Sequence, residues 1–480
     1  MSRAHRLALV VPLLVACGGS NPATTLPTTD IPDSSSGSDA MADAGSDAGA
    51  DASADVTQDA SVDTGPADSG APRVTHVSGG SFAHTCAVLS TGRVRCWGVN
   101  DNAQLGVAVV ESRQRCRVPG STSTLPCEHT PRDVPDLTDV TDVSVGNGTS
   151  CVLKRDGSVW CWGLNDAGEL GQGTSDTMAH PTPVRVTLPM AARQVAAGAF
   201  HVCALLTDGT VQCWGDDKYA QSGVAPAMSE GACDPGDGIT TRCQRRPRAV
   251  DGLTNVRQIS LGRFHTCALL NDGTVRCWGL NDAAQIGTGT LEVRESPRTT
   301  PTTVTGLSGV TQIAAGGSHT CAVRSDGAVH CWGWNDMGQL GTAATTACSV
   351  ATSDTFRCAL SPVPVPELSG ARAVAAGRYH TCVTLTAGGV RCAGRNDEFQ
   401  LGLGGAGTER CTLFPDTYAC TRTFRDVTIP STAEVTVGNY HSCAALADGT
   451  VRCWGAGYYG QIGDGNTMNR EAPVATLNLP

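Results

Sequence analysis

The chain has 480 residues, including 57 glycines, 25 prolines and 23 cysteines, and aromatic residues make up only 4% of it. Its formal net charge is −11, but residues 73–480 contain 32 basic and 35 acidic residues, which is a net charge of −3. A nearly neutral folded part gives no support for nucleic-acid binding or for general electrostatic steering of a charged ligand.

The N-terminus has the features of a secretory signal over residues 1–16. Basic residues precede an apolar run from Leu7 to Val15, which is too short to span a bilayer. The run ends in Ala16-Cys17, and this stretch resembles the lipobox of bacterial lipoproteins, in which the cysteine is acylated after cleavage. Cys17 is therefore predicted to be lipidated. An ordinary signal peptide with a stray cysteine is the alternative, and both interpretations predict export to a compartment where disulfides persist.

Residues 17–72 follow as a predicted disordered linker. From Gly18 to Pro72 there are ten aspartates and no Lys, Arg or Glu, and such a composition cannot bury a core. Seven of the aspartates recur every four residues from Asp39 to Asp63, where like charges would repel one another on a helix. The segment is predicted to be a solvated spacer of about 40 Å root-mean-square length. Calcium binding by the aspartates is the alternative.

Residues 73–480 contain seven copies of one repeat, marked by two cysteines ten positions apart. A glycine six residues after the first cysteine separates two runs rich in Val, Ala, Leu and Thr, which is a hairpin signal. A three-residue loop would pair Leu270 with Thr274 and place Cys267 opposite Cys277, with Cα atoms about 4.5–5.5 Å apart, a separation that a disulfide tolerates. The predicted cross-strand disulfides join Cys86 to Cys96, Cys151 to Cys161, Cys203 to Cys213, Cys267 to Cys277, Cys321 to Cys331, Cys382 to Cys392 and Cys443 to Cys453.

Four of the copies carry an additional loop with its own cysteine pair, and the predicted disulfides there join Cys116 to Cys127, Cys233 to Cys243, Cys348 to Cys358 and Cys411 to Cys420. Because the loops occupy equivalent positions, we expect them to emerge on one face, and insertions on one face of a repeat scaffold often form its binding surface. The basic and aromatic residues of these loops are the predicted binding residues: Arg113, Arg115, Arg117, Arg242, Arg245, Arg246, Arg248, Phe356, Arg410, Phe414, Tyr418 and Arg422. Elaborated surface loops that bind nothing specific are the alternative.

No motif points to catalysis or to a metal. A histidine stands two residues before the first cysteine in six copies, but the second copy has Thr149 there, and no Cys-x-x-Cys occurs. The histidines are therefore predicted to be packing residues rather than zinc ligands. The recurrent Asn-Asp dipeptides are predicted to be turn elements, and the sequence shows no single polar cluster that breaks the symmetry. We predict a non-enzyme without cofactor; a hydrolase or lyase site across the central channel is the alternative.

The repeat reads Val-Ala-Ala-Gly, His-Thr-Cys-Ala-Leu, Asp-Gly-x-Val-x-Cys-Trp-Gly-x-Asn and Gly-Gln-Leu-Gly, and it resembles that of the regulator of chromosome condensation family. The resemblance implies a seven-bladed β-propeller over residues 73–480. Four short strands per copy with an aromatic and glycine signature favour the same all-β fold. Six copies have Trp after the second cysteine, whereas the sixth has Ala393. We therefore expect that blade to be the most weakly packed, unless neighbouring residues compensate.

The family's nucleotide-exchange activity on a nuclear GTPase fits an exported protein poorly. A secreted β-lactamase inhibitor with this kind of propeller is a closer precedent. We predict a monomeric scaffold, lipid-anchored in the cell envelope at the outer membrane and facing the periplasm or the cell surface. Its partner would be a protein or an anionic surface polymer. The alternatives are an inhibitor of a secreted enzyme such as a β-lactamase or a protease, a propeller enzyme and an exchange-like regulator.

Overall fold

The computed structural model describes residues 72–224, 230–234, 241–294, 296–350, 355–413 and 415–479. These residues form seven antiparallel sheets arranged as the blades of a β-propeller, which confirms the predicted fold. Each blade is built from one contiguous repeat, because every sheet contains only strands that follow one another in the chain. The only helical element among the described residues is a 3-10 turn at Val109–Glu111.

The strands are as follows. Blade 1 contains β1 (Val74–Gly79), β2 (His84–Leu89), β3 (Val94–Val99), β4 (Gln114–Arg117) and β5 (Thr124–Asp133). Blade 2 contains β6 (Val140–Val145), β7 (Thr149–Lys154), β8 (Val159–Asn165) and β9 (Asp176–Arg185). Blade 3 contains β10 (Ala192–Ala197), β11 (His201–Leu206), β12 (Val211–Asp216), β13 (Ala232–Cys233) and β14 (Thr241–Ala249). Blade 4 contains β15 (Val256–Leu261), β16 (His265–Leu270), β17 (Val275–Gly279) and β18 (Arg298–Thr303).

Blade 5 contains β19 (Val310–Ala315), β20 (His319–Arg324), β21 (Val329–Trp334), β22 (Thr346–Cys348) and β23 (Phe356–Pro364). Blade 6 contains β24 (Ala371–Ala376), β25 (His380–Leu385), β26 (Val390–Arg395), β27 (Arg410–Leu413) and β28 (Asp416–Val427). Blade 7 contains β29 (Thr432–Val437), β30 (His441–Leu446), β31 (Val451–Gly455) and β32 (Arg470–Ala475).

The first strand of every blade lines the central channel. These strands contact their neighbours in order around the ring, and β29 of blade 7 contacts β1 of blade 1. No strand of blade 1 joins the sheet of blade 7, so the ring closes by packing between the two blades. The ends are held together by the contacts of β1 with β29 and β30, by the core shared between the two blades, and by the hydrogen bond from Trp97 to the Gln461 oxygen.

The predicted hairpin and its disulfide are present in every blade. In blade 4 the Leu270 nitrogen donates to the Thr274 oxygen over 2.9 Å, and Gly273 adopts a φ of +81°, a left-handed conformation that glycine reaches without strain. Cys267 pairs with Cys277 across the two strands, and their Cα atoms lie 4.1 Å apart. The other six blades repeat this disulfide with Cα separations of 4.0–4.1 Å, joining Cys86 to Cys96, Cys151 to Cys161, Cys203 to Cys213, Cys321 to Cys331, Cys382 to Cys392 and Cys443 to Cys453.

The core lies between adjacent blades. The six tryptophans that follow the second cysteine of the repeat are fully buried. Each indole N–H donates to the backbone oxygen of the second residue in the preceding blade's Gly-Gln-Leu-Gly turn, as Trp332 does to Gln285 over 2.9 Å. The Trp therefore joins one blade to the next through both apolar burial and a satisfied polar group.

Blade 6 compensates for its missing Trp, which is the exception that the expectation of weak packing allowed for. Ala393 is fully buried, and Phe424 of β28 packs in the same core cluster. Phe424 lies against Gly341 of the preceding turn, as Trp332 lies against the equivalent Gly287. The six blades that have Trp carry proline at the position of Phe424: Pro131, Pro183, Pro247, Pro301, Pro362 and Pro473.

The propeller has two distinct faces. The loops between first and second strands and between third and fourth strands lie on one face, which we call the loop face. The hairpins between second and third strands lie on the opposite face, the hairpin face. The Val74 nitrogen donates to Gly449 in the blade 7 hairpin over 2.9 Å, so the chain enters the propeller at the hairpin face. Among the described residues no helix is long and apolar enough to cross a membrane.

Candidate binding face

All four inserted loops lie on the loop face, because each connects a third strand to a fourth strand. Their first segments, β4, β13, β22 and β27, pair antiparallel with the long fourth strand of the same blade. The described parts of the loops are thus extensions of four blade sheets. The predicted disulfides close these inserted hairpins with Cα separations of 5.8–5.9 Å, joining Cys116 to Cys127, Cys233 to Cys243, Cys348 to Cys358 and Cys411 to Cys420.

Several predicted arginines are neutralised within their own blade. Arg242 forms an ion pair with the buried Asp217 at 2.8 Å. Arg248 lies 3.2 Å from Glu230. The same carboxylate is 3.9 Å from Arg246, and Arg422 pairs with Glu409 at 2.7 Å.

The other predicted basic residues form hydrogen bonds within their own blade, except that Arg245 also reaches Ser175 of blade 2. Arg115 donates to Thr124, Arg117 to the backbone oxygen of Ser121, Arg245 to Ser175, and Arg410 to the backbone oxygen of Gly407. The backbone nitrogen of Arg113 donates to Glu128. The structure therefore does not gather the predicted arginines into one basic patch, and they stay a prediction as binding residues.

The three predicted aromatic residues have different outcomes. Phe356 packs on the Cys348–Cys358 disulfide and is half-buried. Tyr418 lies under Arg395, whose guanidinium carbon is 3.9 Å from the ring centroid. Phe414 lies outside the described residues.

The most concentrated feature of the loop face is a group of aromatic side chains that was not predicted from the sequence. All six tyrosines of the chain lie on this face, together with Trp334 at the end of a third strand and several phenylalanines, of which Phe82, Phe200 and Phe264 stand between first and second strands. We call this set the aromatic patch: Phe82, Phe200, Tyr219, Phe264, Trp334, Tyr379, Tyr418, Tyr440, Tyr458 and Tyr459. Four of its members stand directly before the repeat histidine, and this position was the available signal: Phe200, Phe264, Tyr379 and Tyr440.

The rings of the patch hold one another in place across blade boundaries. Phe200 stacks on Phe264 of the next blade with centroids 5.5 Å apart, and Tyr219 meets Phe264 edge-on at 5.0 Å. On blades 5 to 7, Trp334 meets Tyr379 at 5.6 Å, and Tyr379 lies 6.1 Å from Tyr440. Most of these rings are half-buried, so the patch combines rigidity with exposed aromatic surface.

Three arginines lie over the rings of the patch. Arg395 contacts Tyr379, Tyr418 and Tyr440, and its charge is paired with Asp397. Burial alone would lower the pKa of Arg395, but the hydrogen bond and charge of Asp397 raise it, so the side chain is a permanent cation.

The other two arginines are Arg263, 4.9 Å from the Phe264 centroid, and Arg378, 4.8 Å from the Tyr379 centroid. Burial and the neighbouring charge of Arg378 lower the pKa of Arg263 to about 10.

The repeat histidines are structural, as predicted. Each donates through Nε2 to a hydroxyl of the next blade; His319, for example, reaches the Thr381 hydroxyl over 2.8 Å. That hydroxyl in turn donates to the Gln339 backbone oxygen over 2.7 Å, which assigns the Nε2-protonated tautomer to the ring. Burial lowers the pKa of His319 to about 3, so the ring is neutral at physiological pH.

Blades 2 and 3 are not joined by this hydrogen bond, because both its donor and its acceptor are absent. Thr149 replaces the histidine, and Val202 stands in blade 3 where the accepting hydroxyl would be. A glycine before each histidine admits the ring, because a Cβ on Gly262 would lie 2.3 Å from Cε1 of His265. The histidine and the hydroxyl of the next blade thus form one contact between blades. Between blades 2 and 3 both of these groups are absent.

The described residues give no support for a thiolate metal site. One group of potential ligands comes close together, Cys116, Cys127 and His129, but both cysteines are used in a disulfide. The Asn-Asp dipeptides form turns, as expected. Asn281, for example, accepts the backbone N–H of Ile286 through Oδ1 over 3.0 Å.

The channel contains a polar cluster that breaks the sevenfold symmetry, contrary to the expectation from sequence. His76 of blade 1 lies between two carboxylates, with Nε2 3.0 Å from Asp142 and Nδ1 2.9 Å from Glu434. Burial alone would lower the pKa of His76, but Glu434 and Asp142 raise it to about 9. The sequence conceals this cluster because its members come from blades 1, 2 and 7.

The equivalent channel position in blades 3, 4 and 5 is glutamine. Gln258 donates to the Ile313 oxygen over 3.1 Å and accepts from the Ile313 nitrogen over 3.0 Å, and Gln194 and Gln312 repeat this clamp on the following blade. Channel residues therefore serve contacts between blades, and the described ones do not form a nucleophile with a base.

Comparison with known families agrees with this architecture. The model of the RCC1-like domain matches residues 37–429, and that of the regulator of chromosome condensation (RCC1) repeat matches residues 433–461. The chain belongs to the RCC1-like family.

Similar RCC1-like proteins include the ultraviolet-B receptor UVR8 of Arabidopsis thaliana, which is 26% identical over 412 residues. That match covers 84% of this chain and 81% of the receptor. The guanine nucleotide exchange factor SRM1 of Saccharomyces cerevisiae is 25% identical over 405 residues, which cover 77% of this chain and 79% of SRM1.

Among solved structures, Prp20p of Saccharomyces cerevisiae has a TM-score of 0.63 at 22% identity and covers 85% of this chain and 88% of its own. Human WBSCR16 has a TM-score of 0.62 at 21% identity, with 80% and 93% covered. At this identity the two structures show the shared fold alone.

Proposed function

We propose that this RCC1-like chain is a non-catalytic scaffold that binds a partner protein through the aromatic patch and the disulfide-closed loops of its loop face. The observation that carries the proposal is the placement of all six tyrosines on that face of a chain with few aromatic residues. Tyr, Trp and Arg dominate the energetically important positions of protein interfaces. Rings already held by their neighbours also lose little conformational entropy on binding.

The relatives agree with a binding role. One is named as a receptor and another as an exchange factor, and the Prp20p structure is described together with its binding to Gsp1p and histones. Gsp1p and histones are partners of Prp20p. This chain would bind a different partner, because its loops and its aromatic patch form the proposed binding surface.

We further propose that the propeller is tethered to the cell envelope through a lipid on Cys17. Residues 1–71 lie outside the described residues, and the lipobox-like sequence before Cys17 supports the tether. The first described strand of the propeller begins at the hairpin face, opposite the loop face.

Replacing Cys17 with serine tests the tether. We expect Cys17→Ser to release the protein from the membrane fraction into the soluble fraction, because acylation requires the thiol. Fractionation followed by immunoblotting measures this, with Cys267→Ser as a control that removes a cysteine from the propeller. Continued membrane association of Cys17→Ser would contradict the proposal.

The binding proposal is tested by cross-linked pull-down from the native cell envelope with the full chain. One variant replaces Tyr379 and Tyr440 with alanine, and a matched control replaces the exposed Arg155 of the hairpin face with alanine. We expect the same partner with the wild type and the control and its loss with the tyrosine variant. A partner retained by the tyrosine variant would place the interface elsewhere and refute the proposal.

A further inference from the structure

Two cations of the loop face have no counterion among the described residues. Arg263 precedes Phe264 in blade 4, and Arg378 precedes Tyr379 in blade 6. Both are half-buried, and neither side chain has an ion pair or hydrogen bond within the described part of the chain. The neighbouring Arg294, by contrast, is paired with Asp282 at 2.7 Å.

The loop between these arginines is the smallest in side-chain volume on this part of the face. Blade 5 has Gly317-Ser318 where the adjacent blades have Arg263-Phe264 and Arg378-Tyr379. The Arg263 nitrogen donates to the Gly316 oxygen over 3.2 Å, and the Gly317 nitrogen donates to Gly377 over 3.0 Å, so the three loops are adjacent. The aliphatic stem of Arg378 lies on Gly317, because a Cβ there would be 3.2 Å from its Cγ, and we call the space between Arg263 and Arg378 at Gly317 and Ser318 the notch.

Holding two like charges together away from full solvation is unfavourable until an anion joins them. The effect is visible in Arg263, whose pKa is lowered first by burial and then by the charge of Arg378. A carboxylate between two guanidinium groups would form charge-assisted hydrogen bonds, which are about twice as strong as neutral ones.

We infer that the notch between Arg263 and Arg378 receives an Asp or Glu side chain of the partner protein. Apolar residues of the partner would lie next to it on the aromatic patch. This inference rests on the proposed function.

The surroundings favour a protein over an acidic polysaccharide. A sugar ring stacks on an open aromatic face, but Arg263 and Arg378 already cover a face of Phe264 and of Tyr379, and Phe200 stacks on Phe264 as well. A polyanion also needs an extended basic track, whereas the loop arginines Arg242, Arg248 and Arg422 are paired with carboxylates. An isolated pair of cations within an aromatic surface matches one acidic side chain at the centre of a protein interface.

The test starts from short random peptides displayed on phage and selected on the full chain. We expect the selected sequences to contain Asp or Glu beside an apolar residue. Binding of a selected peptide should weaken about tenfold or more when its acidic residue is changed to the amide, and likewise in an Arg263→Gln, Arg378→Gln variant. The two changes together should weaken binding by less than the product of the separate effects, since they remove the same contact.

Controls distinguish this inference from the proposed function. Arg155→Gln on the hairpin face should leave peptide binding unchanged, and unfolding curves confirm that the glutamine variants are folded. Peptides that bind the Arg263→Gln, Arg378→Gln variant as tightly as the wild type, yet fail on Tyr379→Ala, Tyr440→Ala, would overturn the inference and leave the loop-face function standing. Peptides indifferent to both variants would overturn both.

Two further outcomes also count against the inference. If the selection yields no peptide that contains Asp or Glu and binds the loop face, the inference is overturned. The pull-down would then still test the proposed function independently. Polygalacturonate is the matched probe for a polysaccharide, and its binding to the wild type but not to the Arg263→Gln, Arg378→Gln variant, without peptide binding, would assign the notch to uronates instead.

Discussion

Several contacts between adjacent blades consist of a hydrogen-bond donor in one blade and its acceptor in the next. The His319 ring N–H and the Thr381 hydroxyl satisfy each other in the core, where neither has access to water. Losing one partner leaves the other buried and unpaired, at a typical cost of about 1–3 kcal/mol, whereas losing both costs much less. The natural combination of Thr149 with Val202 in blades 2 and 3 lacks both halves and agrees with this rule.

We therefore expect Thr381→Val to lower the free energy of unfolding by about 1–3 kcal/mol, because it leaves the His319 N–H without an acceptor. The double variant His319→Thr, Thr381→Val copies the natural pair and should be less destabilised than the sum of the two single variants. Chemical denaturation of the four proteins measures this coupling. Strictly additive effects would show that the hydrogen bond contributes nothing to the contact.

At the scale of strands, one blade reaches the same packing with different residues. Six blades combine Trp on the third strand with Pro on the fourth strand, and blade 6 combines Ala393 with Phe424. The position tolerates proline because the pairing of third and fourth strands shifts there, between Cys392 and Gly394 in blade 6. The aromatic group therefore occupies the same space between blades from either strand.

Phe424→Pro should destabilise blade 6 by about 3–5 kcal/mol, because it leaves a cavity beside Ala393. Ala393→Trp alone should also destabilise, by about 1–3 kcal/mol, because Phe424 already fills the space. The double variant restores the arrangement of the other six blades and should recover most of the loss. Melting temperatures of the three variants test this, and a double variant less stable than either single one would refute the exchange.

At the scale of the whole molecule, the ring closes between blades 7 and 1 through side chains as well as backbone packing. Glu434 of blade 7 contacts His76 of blade 1, which in turn contacts Asp142 of blade 2. Both ring nitrogens face carboxylate oxygens, so His76 acts as a charged double donor. Blades 3, 4 and 5 make the equivalent contact with a neutral glutamine.

This difference predicts a pH dependence of ring closure. The pKa of His76 is about 9 in the fold and about 6.5 in an unfolded chain, so its stabilisation is complete below pH 6.5 and is lost as pH rises through 9. Asp142 and Glu434 are the titratable groups that face it, and their negative charges hold the second proton on the ring.

We expect the melting temperature of the wild type to fall between pH 7 and pH 10 by more than that of His76→Gln, which replaces the imidazole with the neutral clamp of blades 3–5. Tyrosine and lysine titration affects both proteins equally, so the difference isolates His76. Parallel curves for the two proteins would rule out this role.

The sequence by itself determined the repeat, the seven blades, the hairpin register and the eleven disulfide pairs. These features depend on local spacing, because a hairpin loop of known length dictates which residues face each other. The structural role of the histidines also followed from the sequence, since the exception at Thr149 argued against a metal ring.

Only the tertiary structure decided the features that depend on distances between blades. The aromatic patch, the notch between Arg263 and Arg378 and the cluster around His76 join residues from different repeats, and Phe424 substitutes for a Trp that stands on another strand. A repeat pattern describes what the copies share, and each of these features arises where the copies differ. Closing the ring brings the residues that differ between repeats into contact. The sequence of one repeat contains no information about which residues of other repeats it will contact in the ring.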